Sequence, residues 1–432
     1  MNVSRSLRLA SAWLKRGPNE ARATVVADDP GFIDYRDLAA RYSFAEHAAR
    51  ADKYFATVDV GSLVARKPFA APLEAAEICG GVAALLPELL LYPGARVLDF
   101  GAGTCWMSRL LALLGCEVTA VDVSRKALEV GERLIRADPF GDKLRVRFVP
   151  LDGPDLPFEN DSFDRVVCFD ALHHVPDQQH SVREFARVLR DGGIAALHEG
   201  GPAHSRLSQS QYEMRMFDVI EGDVHVDQLF EAARDAGFTE MNLAVYASRA
   251  MRTSLRDFDE FLTNPTESAV GRQFLAQTAV GFDNRRTFFL YKGDPLAGMD
   301  SRSPLGLLAR IELAATIDKT HTHLHGTIVN IGSCTWCPSF SGVGGVNIGV
   351  HLIDADGRLI DSNYGRFRVS SDRVEPGQAR DVDFSIPHPA QPGHFELAID
   401  LVAEGIAWFE VQGGQILRFF VRNDSTPTVE RR

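Results

Sequence analysis

The chain has 432 residues, enough for two or three domains, and its 45% hydrophobic and 24% charged residues are the proportions of an ordinary folded protein. A formal net charge of -12 argues against a DNA or RNA substrate, because phosphate binding needs a basic surface. No run is long and apolar enough to span a membrane, residues 1–7 lack the apolar core of a secretory signal, and the six cysteines are scattered, which fits a reduced, cytoplasmic location.

Residues 1–92 precede any strand and are helical in pattern; 74–91 carry helical spacing up to the turn Tyr92-Pro93-Gly94. Residues 96–100 read as a buried parallel strand, because their apolar residues are nearly continuous instead of alternating. The loop Asp99-Phe100-Gly101-Ala102-Gly103 follows, where two glycines let the backbone turn sharply and approach a ligand. A helix over 108–114 stops at Gly115, and a second strand over 117–121 delivers Asp122 to its carboxyl end. Further strands are expected over 146–150, 163–170 and 194–198, and near 239–246 and 286–292, with helices over 181–189 and 226–236. Strands alternating with helices predict an α/β, doubly wound sheet.

An acid about 20 positions beyond a glycine loop, at the end of the next strand, can accept hydrogen bonds from both ribose hydroxyls of an adenosine-containing cofactor. A dinucleotide site would want a third glycine for close helix packing, but Trp106 stands there. Asp99 would repel a pyrophosphate and attract the ammonium of a methionyl group, so the pattern favours S-adenosylmethionine.

The ordered segments VLDFGAGT, VTAVDVS, LDGPDLPF, FDRVVCFDALHHV and VLRDGGIAALHE resemble class I S-adenosylmethionine-dependent methyltransferases over about residues 93–293. The resemblance implies a seven-stranded Rossmann-like sheet with an N-terminal helical cap over residues 1–92. It also implies that Asp99, Gly101 and Gly103, with Ala102 between them, shape the methionine pocket. By the same resemblance Asp122 holds the ribose, the adjoining Val123 is counted among the cofactor-binding residues, Asp152 lies near the adenine, and Asp170 and Ala171 floor the sulfonium. One departure is Cys105, where many members carry a third glycine. Residues 54–70, containing Lys67-Pro68-Phe69, are a candidate lid, and helical stretches within 247–285 a second candidate wall of the acceptor site; plain packing on the sheet is the alternative for the lid.

An alcohol acceptor must lose its proton as it attacks, and a histidine poised near neutral pH suits that task. His174 and His204 are the candidate bases by position, with Glu199 a partner that orients or charges an imidazole. The alternative is that His173 and His174 are structural and touch only backbone.

Residues 294–306, rich in Gly, Pro and Ser, read as a linker. Beyond it, short strands separated by turns at Asp356-Gly357, Pro376-Gly377 and Pro392-Gly393 imply an all-β immunoglobulin-like sandwich over 307–422, and the polar residues 423–432 read as disordered. This part resembles β-sandwich modules of bacterial surface-polysaccharide assembly proteins, in Val329-Asn330-Ile331-Gly332 with Trp336, Glu375-Pro376-Gly377, Gln391-Pro392-Gly393-His394-Phe395-Glu396-Leu397 and the run from Asp400 to Phe409. Trp336, Trp408 and Phe409 either stack on sugar rings or fill the core, and core is favoured. The single Cys334-x-x-Cys337 pair lacks the second half of a zinc site, and His321, His323 and His325 share one strand face without a placeable fourth ligand, so no metal is expected.

The expectation for the whole chain is a cytoplasmic methyltransferase that uses S-adenosylmethionine to O-methylate a sugar in bacterial surface-glycan biosynthesis. Its acceptor is a saccharide or another small molecule, with a glycan or protein partner at the sandwich. The rivals are methylation of a non-sugar small molecule or a protein nitrogen, and a non-catalytic assembly protein.

Overall fold

The computed structural model describes residues 30–62, 64–247, 250–389, 393–423 and 428–431. The chain divides into two compact units, Met1–Pro295 and Leu296–Arg432. The expected absence of a signal at residues 1–7, the first part of the cap, and the turn residue Pro392 lie outside the described residues.

The first unit is built on strands β1 (Arg96–Phe100), β2 (Glu117–Asp122), β3 (Val146–Pro150), β4 (Phe163–Phe169), β5 (Leu189–Gly200), β6 (Glu240–Leu243) and β7 (Arg285–Lys292). They form one seven-stranded sheet in the order β3-β2-β1-β4-β5-β7-β6. β1 pairs in parallel with both β2 and β4, whereas β7 runs antiparallel to β5 and β6. The strand order reverses between β1 and β4, so the loops after these two strands open a crevice at the carboxyl edge, the usual ligand position in such sheets. Every residue of β4 is buried, which is why its sequence reads as a run and not an alternation.

Helices α1 (Tyr35–Arg41), α2 (Phe44–Phe55) and α3 (Pro72–Leu85) form the N-terminal cap. α2 starts in a capping box, where Ser43 accepts from the Glu46 backbone and Glu46 reaches back to Ser43. α3 has proline at its first position, where the missing N–H costs nothing, and ends at Leu85, earlier than the spacing of 74–91 suggests. α4 (Trp106–Leu113), α5 (Arg125–Arg136), α6 (Gln178–Val188), α7 (Ser208–Phe217) and α8 (Val226–Asp235) follow. α9 (Leu255–Thr263) and α10 (Ala269–Asn284) occupy the insertion before β7. The sequence reading assigned neither α5 nor α7. β5 begins at Leu189, ahead of the strand expected over 194–198, and its start is irregular, with Gly192 at φ 74 and a register shift against β4.

The second unit is antiparallel throughout its named strand pairs. One sheet runs β11 (Leu359–Arg368), β10 (Val346–Asp354), β13 (Gly393–Ala403), β15 (Leu417–Asn423), β16 (Thr428–Arg431), with β14 (Ala407–Trp408) also on β13; the other runs β12 (Ala379–Pro387), β9 (His321–Asn330), β8 (Ala309–Ile317). Alternate residues such as Val346, Ile348, Val350, Leu397, Ile399 and Leu401 share one core with Ile311, Leu324 and Phe384 of the smaller sheet, as a sandwich requires. β11 is one bulged strand over Leu359–Arg368. Two expectations change here. The tail expected to be disordered supplies β16, which pairs with β15. The stretch read as linker joins the sandwich from Met299 on, with Met299, Ser301 and Ser303 buried and Ser301 Oγ accepting from Cys337 N at 2.8 Å.

Candidate active site

The glycine loop leaves β1 at Phe100. Gly101 has φ 69 and a Cβ there would overlap that of Ala171, so the turn requires glycine on two counts. Ala102 is buried, and both Gly101 N and Ala102 N donate to Val121 O at 2.9 Å, which fixes the loop to the end of β2. Gly103, at φ 53, faces the Phe55 ring at the end of α2. Cys105 keeps the left-handed conformation, φ 60, that a third glycine would take, a strain of about 1 kcal/mol. Its side chain fits because Gly131 of α5 faces it; a Cβ on Gly131 would lie 2.5 Å from Cys105 Sγ. Trp106 packs edge-on against Phe169, with ring centroids 5.1 Å apart.

Asp122 ends β2 and accepts from Gly103 N and Ser124 N, each at 2.8 Å, so one carboxylate joins the glycine loop to the start of α5. The cap meets the same place: Asp52 of α2 accepts from Ser124 Oγ at 2.7 Å and Lys126 N at 3.0 Å. Val123 lies between them, partly buried against the core. Asp99 is buried below the loop and accepts from Ser108 Oγ at 2.5 Å. Burial, opposed by the Ser108 hydrogen bond, pushes Asp99 up to about 7, and burial raises Asp122 as well. Two buried carboxylates with no ion-pair partner among the described residues, beside a glycine cradle, suit a ligand that carries hydroxyls and positive charge, as S-adenosylmethionine does.

The other expected cofactor residues fall on both sides of the crevice. Asp170 has φ 54, donates its N–H to His198 O at 2.8 Å, and pairs its carboxylate with Arg285 at the start of β7. Ala171 sits beneath Gly101. The Asp152 side chain is 81% exposed and ion-paired with Arg125 at 2.6 Å, so it faces solvent.

A histidine–carboxylate cluster follows β4. Glu199 is fully buried and accepts from Ala171 N at 2.9 Å, Leu172 N at 2.8 Å and His173 Nδ1 at 2.7 Å. Burial opposes its charge, but these hydrogen bonds prevail and hold it at about 2; burial keeps His173 neutral, down at about 4. Glu199 therefore orients His173, not His174 or His204. His174 is half exposed, and its Nδ1 lies 2.6 Å from Ile220 O. A carbonyl only accepts, so Nδ1 carries the proton and Nε2 keeps its lone pair. Glu221 Oε1 lies 3.5 Å from the same Nδ1. His204 is more enclosed, with Nε2 at 2.9 Å from Glu221 Oε2.

Glu221, Glu213 and Lys67 were not singled out as site residues by the sequence. Burial opposes the Glu221 charge, but His174, His204 and His173 together hold it at about 2. Glu213 on α7 is pushed up to about 7 by burial and by Glu221, and accepts from Gln209 Nε2 at 2.6 Å. Lys67 is lowered by burial, with Glu74, Glu213 and Glu221 opposing that shift. The candidate lid thus contributes Lys67, whereas Phe69 is 73% exposed.

In the second unit, Trp336 and Phe409 take the core reading, whereas Trp408 is half-buried and outside the core cluster. Trp336 and Phe409 are fully buried against each other, and the Trp408 ring is covered by His351 at 4.1 Å and Arg366 at 4.6 Å. Cys334 and Cys337 are buried free thiols, and burial pushes Cys334 up to about 12. No helix among the described residues is long and apolar enough to cross a membrane.

A family model described as a methyltransferase domain matches residues 98–197. The chain is 38% identical over 123 residues to a demethylmenaquinone methyltransferase of Clavibacter sepedonicus, covering 28% of this chain and 48% of that protein. It is 32% identical over 212 residues to 27-O-demethylrifamycin SV methyltransferase of Amycolatopsis mediterranei, covering 48% of this chain and 75% of that protein. The chain spans about half the length of the first of these relatives. An S-adenosylmethionine-dependent methyltransferase structure from Mesorhizobium loti is similar at 19% identity and a TM-score of 0.37, covering 51% of this chain and 99% of that one. Glycine loop, strand order and the extent of the rifamycin relative together establish that the chain belongs to the class I methyltransferases, with S-adenosylmethionine as cofactor.

Proposed function

We propose that this chain transfers a methyl group to a hydroxyl oxygen of a small-molecule acceptor, and that the acceptor is a saccharide. The observation that carries the reading is His174: Nδ1 is committed to Ile220 O, Glu221 stands beside it, and Nε2 remains an acceptor on a half-exposed side chain. Such an imidazole, backed by a carboxylate, is suited to take a hydroxyl proton. S-adenosylmethionine supplies, when bound, an activated methyl on a positive sulfur. Asp122, Gly101 and Gly103 hold and orient that cofactor, the cap residues Asp52 and Phe55 close over it and exclude water, and the histidine cluster deals with the acceptor proton. His174, Glu213, Glu221 and Lys67 lie close enough to influence one another's charge, and such a polar group of side chains suits an acceptor with several hydroxyls. Two kinds of relative have O-methylation in their names, the rifamycin enzyme and the ubiquinone biosynthesis O-methyltransferases. A place in surface-glycan biosynthesis rests on the likeness of the sandwich alone.

The test is transfer of labelled methyl to a panel of sugars, nucleotide sugars, phenols and amines, by the intact chain and by His174→Ala. The reading expects label on a hydroxyl, with sugars preferred, and at least about 100-fold slower turnover in the variant. Transfer to amines alone, or an unchanged rate in His174→Ala, would overturn it.

A further inference from the structure

The histidine cluster has one feature that a proton acceptor does not need. One nitrogen from His173, one from His174 and one carboxylate oxygen of Glu221 lie within 4.8 Å of one another. Each imidazole has its Nδ1–H already committed, His173 to Glu199 Oε2 at 2.7 Å and His174 to Ile220 O at 2.6 Å. That is the outer arrangement seen around metal-bound histidines, where one ring N–H goes to a carboxylate or carbonyl and the other nitrogen binds the ion. Glu221 Oε1 is buried and accepts no hydrogen bond, although Oε2 takes His204 at 2.9 Å. His174 Nδ1, at 3.5 Å, is near Oε1 but beyond good hydrogen-bond distance, and a buried carboxylate oxygen so placed favours an electropositive neighbour.

We propose that His173, His174 and Glu221 bind one divalent first-row transition-metal cation, and that the acceptor hydroxyl is its further ligand. The inference rests on the reading of this cluster as the acceptor end of the site, and it runs against the sequence expectation of no metal. Two imidazoles and a carboxylate suit zinc, manganese, iron or cobalt, and three protein ligands leave positions open for substrate. His174 is the exposed member of the three, while His173 and Glu221 are buried. Tetrahedral ligands at about 2.1 Å from an ion stand about 3.4 Å apart, so side-chain adjustments of about 1 Å close the site. With the cation bound, His174 Nε2 is a ligand and no longer the base: the metal-bound hydroxyl releases its proton to water more readily, which leaves the oxygen free to attack.

The chelator-stripped full chain is titrated with Co2+, followed by visible absorption and by calorimetry, next to His174→Ala and Glu221→Gln. One equivalent bound with ligand-field bands, weakened at least tenfold in each variant, supports the site. Absence of stoichiometric binding, or equal binding in both variants, overturns it. If Glu221→Gln does not fold, the half-exposed His174 position carries the comparison, with the unfolding midpoint as control. Methyl transfer then separates the two readings. Transfer that survives complete stripping overturns the cation and leaves the hydroxyl reading standing. Stoichiometric binding with no transfer to any hydroxyl keeps the cation site and overturns the acceptor assignment.

Discussion

Each unit holds a group of histidines beside carboxylates, and the two groups differ in burial more than in composition. In the first unit His173 and Glu199 are 6% and 0% exposed at the side chain, 2.7 Å apart. In the second, His323 and Asp318 also pair at 2.8 Å, but at 42% and 53% exposure. Buried, the pair fixes a tautomer: the His173 ring stays neutral and Glu199 gathers backbone and imidazole N–H groups. Exposed, the same residue types act within one turn, where Asp318 accepts from His323, Thr320 N and His321 N, which hold its carboxyl below the usual range. Residue type alone therefore did not mark the site. What separates the groups is a low-dielectric setting in which each donor and acceptor has a forced partner.

The largest effect expected from that contrast is at Glu199. Glu199→Gln keeps the shape but replaces an all-acceptor group by one that donates toward His173, in a fully buried place. The unfolding free energy of the first unit should fall by about 3 kcal/mol, read by denaturant titration. A loss below about 1 kcal/mol would mean that the pair is wetter than its burial implies, and the contrast with the second unit would weaken.

Acid should distinguish the units next. His198 lies in β5, under Gly81 of α3 and stacked on Phe169, with Thr287 Oγ1 at 2.8 Å. Burial lowers its pKa from 6.5 to about 4. The unfolded chain therefore takes up the proton first, and stability present above pH 6.5 is lost as pH falls toward 4, by on the order of 3 kcal/mol. His198→Gln should lose that part of the pH dependence while keeping a hydrogen bond to Thr287. Identical slopes for variant and intact chain between pH 6.5 and 4 would contradict the assignment.

The glycine loop of the first unit and Asp122 at the end of β2 were legible in the sequence because the parts are local. A run of apolar residues, two glycines and an acid at the next strand end sit within about one βαβ unit, and each maps to one backbone demand. The fold followed from the same alternation, as did the core role of Trp336. The acceptor side was not legible, because its partners come together only through the sheet. Glu221 sits in a loop with no periodicity and reaches residues that leave β4; nothing around it in sequence points to His174 or His204. Asp152, placed by the resemblance, has an exposed side chain ion-paired with Arg125. β16 was missed because a short polar strand at an edge carries no apolar alternation, and its pairing with β15 is a backbone matter.

The smallest effect is expected at Asp318, and it is the control that gives the others meaning. Asp318→Asn retains an oxygen that can accept from Thr320 N and His321 N, so the turn before β9 keeps its shape. What goes is the charge opposite His323, and that charge is solvated and screened by salt. His323 also keeps its contact with Ser385 Oγ at 2.8 Å on the neighbouring strand. The unfolding midpoint of the second unit should therefore not move, at low or at physiological salt. If the midpoint dropped as far as in Glu199→Gln, exposure would not be what separates the two clusters. The histidines of β9 would then hold the sandwich together in a way their hydrogen bonds do not reveal.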